Sequence, residues 1–313
     1  MESIAVIGSG ICGLTTASTL VEAGYQVTLY AKDFPPETTS NKAAAFWFPY
    51  HIENDTRCIR WSQESYNKYV SFLDDPATGV SMRQLIKVTK DYDPPADYWL
   101  DFMLAGSFRS LENSKLPRGY DAGYDIQVPL IETQRFLPWL LDFLNSSGVE
   151  VLTREINELS ELTDKYSWVI NCTGLGARDL CYDKEVYPIR GQVALLEPQK
   201  AMPLFLYEMQ PFYIVPREDA TLIGGTFEEH VWDTTPEPET IERLYKQALD
   251  LFPQLAQASL KGSWAGLRPF RKVIRVEREA GENIIHNYGH GGSGFTLAWG
   301  CAAEVLKLID NTN

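Results

Sequence analysis

The chain has 313 residues, of which 44% are apolar, 22% charged and 12% aromatic, and it carries a formal net charge of −14. That length exceeds what one hydrophobic core usually serves and predicts one large domain or two interleaved ones. The acidic balance, without any Lys/Arg cluster, excludes nucleic acid and anionic membrane surfaces as partners, because both need a basic face; no apolar run is long enough to span a bilayer.

The N-terminus, where Glu2 leads straight into a strand, does not read as a secretory signal. In chain order, "SIAVIGSGICGLTTASTLVEAGYQVTLYAKD" reads strand, turn, helix, strand. Ile4 to Ile7 form a short continuous apolar run, as expected of a parallel strand buried on both faces. Gly8, Gly10 and Gly13 then give the G-x-G-x-x-G spacing. Gly8 permits the tight turn, Gly10 lets a pyrophosphate approach the backbone, and Gly13 lets helix pack on strand. The helix runs from about Ile11 to Val21 and stops near Gly24, a left-handed cap residue. "YQVTLYA" is the second strand. This context, rather than the glycine spacing alone, predicts a dinucleotide site. An acidic residue normally ends the second strand to hold a ribose; here Asp33 comes one place late. Asp33 in that role, threonine hydroxyls or backbone in its place, and a solvated loop charge all stay open.

Further along, "ETQRFLPWLLDFLNSSGVEVLTRE" reads as an amphipathic helix, a Ser-Ser-Gly stop and a strand. Pro138 kinks that helix or sits in its first turn. Val193 to Leu196, Phe212 to Val215 and Leu222 to Gly225 read as antiparallel strands between Pro-rich loops. "DTTPEPETIERLYKQALDLFP" is a helix start, with prolines and acidic residues before Ile241. Near the end, "HNYGHGGSGFTLAWGCA" places Gly291, Gly292, Ser293 and Gly294 before an apolar, helix-like run opening with Phe295 and Thr296.

That second glycine turn separates two cofactors. A nicotinamide enzyme needs one dinucleotide turn and a separate catalytic domain. A flavoenzyme of the two-domain kind brings its C-terminal part back to the isoalloxazine ring, where a helix N-terminus offers amides and a positive dipole end to the negative charge of reduced flavin. FAD is the expected cofactor. Five cysteines (Cys12, Cys58, Cys172, Cys181 and Cys301) are odd in number and lack C-x-x-C spacing, which reads as free thiols in a reducing, cytoplasmic compartment. Cys301 reads as a small buried hydrophobe rather than a covalent attachment point. The four histidines show no ligand spacing on a helix, since Gly289 breaks the segment between His286 and His290, and no metal site is expected.

Along essentially its whole length the chain resembles the D-amino-acid oxidase family, which includes the D-aspartate oxidases. "TTSNKAAAFWFPY", "VINCTGLGAR", "YPIRGQV", "FYIVP", "GLRPFRKVIRVERE" and "HNYGHGGSGFTLAWGCA" carry the likeness in order. The resemblance implies that Thr38, Thr39 and Ser40 hold ribose and pyrophosphate oxygens, that the backbone of Arg154 and Ile156 meets the adenine, and that Thr173 and Gly174 return to the cofactor. It implies that Arg275 grips the substrate carboxylate, helped by the Tyr213 hydroxyl, and that the Gly292 carbonyl accepts from the substrate amine. It sets Tyr50 and Trp47 near ring and pocket, and puts Met209 and Ser293 where many members carry tyrosines. Competing readings remain: an outward-facing Arg275 in an alternating strand, and core roles for Tyr213, Trp47 and Phe46.

The expected fold is α/β, an FAD-binding Rossmann-like nucleotide domain (residues 1–50, 130–190 and 276–313) interleaved with an antiparallel-sheet substrate domain (51–129 and 191–275). The expected function is FAD-dependent oxidation of D-amino acids, mainly neutral ones, to 2-oxo acid, ammonia and H2O2, with O2 as acceptor. The alternatives are acidic D-amino acids, glycine or sarcosine-type amines, a quinone-linked dehydrogenase, and a flavin-binding module without turnover. The partners expected are the D-amino acid and O2, with neither nucleic acid nor membrane, and a homodimer is left open.

Overall fold

A computed structural model describes residues 2–50, 56–90, 100–101, 103–112, 114, 116–207 and 210–311. Five strands form a parallel half-sheet: β1 (Ser3–Ile7), β2 (Gln26–Ala31), β6 (Glu150–Thr153), β7 (Trp168–Asn171) and β14 (Ile284–His290), in the order β14-β7-β1-β2-β6. The apolar run of β1 divides between two layers. Ile4 and Val6 join the main core with helices, while Ala5 and Ile7 pack in a separate cluster with Tyr30, Val169 and Ile284. Burial on both faces is why no polar alternation shows in this strand.

Helix α1 (Ile11–Glu22) crosses from β1 to β2 and ends at Ala23, with Gly24 at φ +90. It packs on α7 (Gly294–Asp310), where the Thr15 hydroxyl donates to the Ala298 carbonyl at 3.3 Å. Helix α2 (Thr56–Val70) lies across α7 so closely that a Cβ on Gly300 would meet Trp61 Cα at 2.2 Å. Helix α3 (Thr133–Ser146) contains Pro138 in its interior rather than its first turn. Two one-turn helices, α4 (Ser160–Thr163) and α5 (Ala177–Leu180), flank β7.

The remaining strands are β3 (Val80–Thr89), β4 (Phe108–Ser110), β5 (Ala122–Ile131), β8 (Tyr187–Leu196), β9 (Leu204–Tyr207), β10 (Phe212–Pro216), β11 (Thr221–Gly224), β12 (Glu228–Glu229) and β13 (Leu260–Arg278). All but β12, which pairs antiparallel with β8 off this path, continue the same sheet as β4-β5-β3-β9-β10-β11-β8-β13, antiparallel except for the β3–β9 pair, and β13 then joins β14. Helix α6 (Pro238–Leu251) covers this half with Ile241, Leu244 and Ala248 against Leu196, Phe205, Ile214 and Ile223.

Strand β13 links the halves. Its first part pairs with β8 through Phe270, its last part pairs with β14 from Arg275, and a register shift lies between. A strand that bulges there resets which side chains face which way.

Candidate cofactor and substrate site

A cavity of about 860 Å³ runs along the carboxyl ends of the parallel strands and across β13 onto the antiparallel half. Open parallel sheets place their ligand crevice at these strand ends. At one end the lining is Asp33, Glu37, Arg154, Glu155, Ile156 and Asn157; at the other it is Tyr50, Tyr213, Leu206, Arg268 and Gly292.

The N-terminal turn is built by sterics. A Cβ on Gly8, at φ +111, would stand 2.5 Å from the Cys172 carbonyl oxygen, and one on Gly13 would fall 1.8 Å from the Gly8 oxygen. Gly13 therefore sits behind the turn as a packing residue, whereas Gly8, Gly10 and Ile11 line the cavity. No side chain of Gly10 caps α1; the Ile11 amide donates instead to Ser40 Oγ at 2.9 Å. Ser40 belongs to a short 3-10 turn, Thr39–Lys42, and Thr38, Thr39 and Ser40 all line the cavity. Asp33 lines it too, and its carbonyl accepts from the Ser9 hydroxyl. Thr173 and Gly174 reach the same wall from the end of β7.

The second glycine turn opens α7 without a side-chain cap, so its first amides have no intrahelical partner. Gly291, Gly292, Gly294 and Thr296 line the cavity. Ser293 does not. It is buried, and its hydroxyl donates to the Tyr50 carbonyl at 2.5 Å, while Thr296 donates to the Phe48 carbonyl at 2.8 Å. These two bonds hold the 48–50 segment over the helix start. Two helix N-termini facing one elongated cavity, neither capped by the residue that precedes it, fit a dinucleotide with a pyrophosphate and a ring that gains negative charge.

Three sequence expectations need correction. Arg275 is not in the cavity lining: beyond the register shift its Nη1 donates to Tyr288 Oη at 2.6 Å and its Nε pairs with Glu277 at 2.8 Å. Trp47 is fully buried in the core, donating to the Ser62 carbonyl at 3.1 Å and packing against Tyr66. Its neighbours Phe46, Phe48 and Tyr50 are the ones that line the cavity. Ser293 serves as a tie rather than a wall. Met209 lies outside the described residues.

Arg268 is the guanidinium at the inner end. Its side chain crosses Gly191 so closely that a Cβ there would stand 2.4 Å from Nη2, and its Nη1 donates to the Thr226 carbonyl at 3.0 Å. A Cβ on Gly292 would lie 3.2 Å from the Tyr50 ring and 3.6 Å from Arg268 Cδ, so these three residues adjoin. Tyr213 stands beside Leu206 on the neighbouring strand, and its ring occupies the space a Gly224 side chain would take. The signal for Arg268 was present in "GLRP", a cavity-facing glycine two places before it on one strand face.

Titration is suppressed next to the N-terminal turn. Burial pushes the His290 imidazole down to about 4 and pushes the Cys12 thiol well above its ordinary value, with Cys172 adding to the latter. The Cys12 sulfur stands 3.4 Å from His290 Nδ1, within hydrogen-bonding distance.

Over residues 3–308 the chain matches the family described as FAD dependent oxidoreductase (DAO). It is 37% identical over 309 residues to a D-amino-acid oxidase of Rubrobacter xylanophilus, covering 97% of this chain and 94% of the relative. It is 31% identical over 326 residues to a human D-aspartate oxidase, covering 98% of this chain and 94% of that protein. A solved structure of glycine oxidase from Geobacillus kaustophilus superposes with a TM-score of 0.85 at 17% identity, covering 99% of this chain and 95% of the other.

Proposed function

The chain belongs to the DAO family of FAD-dependent oxidoreductases, and from that premise we propose how its cavity binds and sorts its substrates. The protein is an FAD-dependent D-amino-acid oxidase, converting a D-amino acid, O2 and water into a 2-oxo acid, ammonia and H2O2. The observation that carries the residue assignment is the cluster of Arg268, Tyr213, Tyr50 and Gly292 at the end of the cavity where α7 begins.

The two glycine turns would hold FAD between them, which when bound would supply the hydride acceptor. Gly8, Gly10, Ile11, Thr38, Thr39 and Ser40 would hold its pyrophosphate, Asp33, Arg154 and Ile156 its adenosine, and the opening amides of α7 its ring. Arg268 takes the place first expected of Arg275. Its fork, fixed on the Thr226 carbonyl, binds the substrate carboxylate bidentately and so fixes the direction of Cα–H. Tyr213 adds a hydroxyl to the same carboxylate, and the Gly292 carbonyl accepts from the amine. His290 stays neutral and Cys12 protonated through the working range, so neither adds charge. Positioning suffices, and no side-chain base is required.

Next to Tyr213 the lining is Phe46, Phe48, Leu206 and Pro211, with no charged side chain among these four described residues; behind them Lys87 Nζ stands 5.1 Å from the Phe48 ring centroid. Neutral D-amino acids should outrun acidic ones there, since an unpaired carboxylate on an apolar wall costs several kcal/mol, roughly. The test is anaerobic bleaching of the flavin by D-alanine, D-methionine, D-phenylalanine and D-aspartate, followed by kcat/KM and peroxide yield in air. Preference for D-aspartate overturns the neutral assignment; no bleaching by any D-amino acid, with bleaching by glycine or sarcosine, overturns the substrate class.

We further divide the chain into a nucleotide domain (1–50, 130–190 and 276–313) and a substrate domain (51–129 and 191–275). The change from parallel to antiparallel pairing at β13 supports this division. A cytoplasmic location is supported by five free cysteines. Among the described residues no helix is long and apolar enough to cross a membrane.

A further inference from the structure

Lys42 lines the cavity at its reactive end and has no use in the scheme above. Its Nζ donates to the Ala265 carbonyl at 3.3 Å, and its Cβ and Cδ pass 3.5 and 4.0 Å from where a Cβ on Gly266 would stand. Gly266 is the ladder partner of Gly191, the residue that carries the Arg268 guanidinium, so both cations sit on adjacent rungs of the β8–β13 pair. The cations at the far end have carboxylate partners: Lys32 pairs with Glu155 at 3.6 Å and Arg154 with Glu161. Among the described residues no carboxylate reaches ion-pair distance of Lys42.

The backbone around Lys42 is anchored on both sides. The Asn41 carbonyl accepts from Thr133 Oγ1 at 3.0 Å and from Gln134 Nε2 at 3.3 Å, and the Ala43 carbonyl accepts from Arg217 Nη1 at 3.0 Å. Arg217 is fully buried and is itself fixed by Asp219 at 2.9 and 2.6 Å and by Thr133 Oγ1 at 2.7 Å. A free lysine on a mobile loop would spend its charge in solvent. This one is delivered to the cavity by a built support.

We propose that Lys42 is a charge-tuning residue, whose ammonium stabilises the negative charge that the flavin ring gains on reduction, together with the amides that open α7. This rests on FAD occupying the cavity as described above. A cation beside a group that turns anionic favours its reduced form in proportion to proximity and to exclusion of water. Because Lys42 is exposed in the cavity lining and would be covered only by the bound ring, the effect is about tenfold rather than the larger value of a dry site.

The experiment uses the FAD-loaded enzyme and the variants Lys42→Met, Lys42→Gln and Lys42→Arg. Sulfite, which reacts reversibly with oxidised flavin and leaves negative charge on the ring, is titrated by loss of visible flavin absorbance. The midpoint potential is measured against reference dyes, and the FAD Kd of each apoprotein is measured in parallel. Lys42→Met and Lys42→Gln are expected to weaken sulfite binding about tenfold and to lower the potential by about 30 mV, the two-electron equivalent of tenfold. Lys42→Arg should stay within about threefold of the parent. Unchanged sulfite Kd and potential in both neutral variants overturn the proposal. So does a loss confined to FAD affinity, which would place Lys42 on the phosphates. Failure of the parent protein to bind FAD at all refutes the cavity assignment instead, and is read separately from either result.

Discussion

Substituting Gly191 by alanine tests the carboxylate clamp without touching the clamp itself. The new Cβ would stand 2.4 Å from Arg268 Nη2, 2.6 Å from Cζ and 2.7 Å from Nη1, against ordinary contacts of 3.4 Å or more. The obstructed atoms are the far end of a flexible side chain, so the guanidinium moves, by about 1 Å, and the fold does not. Gly191 has no positive φ, and alanine adopts its strand conformation without strain. A 1 Å shift breaks the parallel alignment of a bidentate pair, leaving one charge-assisted bond where there were two. With such bonds at about 1.5–3 kcal/mol each, kcat/KM for D-amino acids should fall by about one to two orders of magnitude. The Tm should stay within about 2 °C of the parent. Steady-state kinetics by peroxide release, beside a thermal melt of the holoenzyme, reads both. A kcat/KM within threefold of the parent, at unchanged Tm, would show that Arg268 does not bind the substrate carboxylate.

Three further outcomes are expected. Arg275→Ala should leave kcat/KM within about threefold, because the guanidinium is absent from the cavity lining and reaches it only through the Tyr288 hydroxyl, while denaturant melts lose about 1–2 kcal/mol; a hundredfold loss of kcat/KM would restore Arg275 to the site. Burial pushes the Glu132 carboxyl up to about 7, against a bond from the Glu218 amide and the nearby Arg217 that lower it. The folded state therefore holds a proton that the unfolded state has released above about 4.5, and stability falls as pH rises from there through about 7. Glu132→Gln should be more stable than the parent at pH 8, by on the order of 2–3 kcal/mol, and equal to it near pH 4; parallel melts with the same pH slope would refute this. Acid precipitation should release the flavin to the supernatant, because Cys301 is buried within α7 away from the cavity and the Cys12 thiol is held protonated; colour retained in the pellet would mean covalent attachment.

The nucleotide half was legible because its signals are local. A buried apolar strand, three glycines and a helix fall within one short stretch, and each glycine answers to a measurable overlap. Choosing among the arginines of "GLRPFRKVIRVERE" was not a local problem. Which of them faces the cavity depends on the change of partner strand after Phe270, and residue counting along a single alternating pattern does not survive such a shift. "FWFPY" did carry an unused clue, since alternation alone places Phe46, Phe48 and Tyr50 on one side and Trp47 on the other. Lys42 escaped notice because a lysine in a loop ordinarily means solvent. Its support comes from Thr133 and Arg217, remote in sequence.

Strand β13 pairs with β8 over its first part and with β14 over its last, so the clamp at Arg268 and the turn that opens α7 are spaced by a single run of backbone. Their separation is set by covalent geometry and ladder hydrogen bonds, not by how two bodies happen to dock. Interchanging the substrate-binding half between relatives would therefore require a cut through this ladder, and any one-residue mismatch at the seam would rotate the arginine away from its ligand. Side-chain preference in such a scaffold is free to drift through the loops and the apolar wall, while the grip on the α-carboxylate is not.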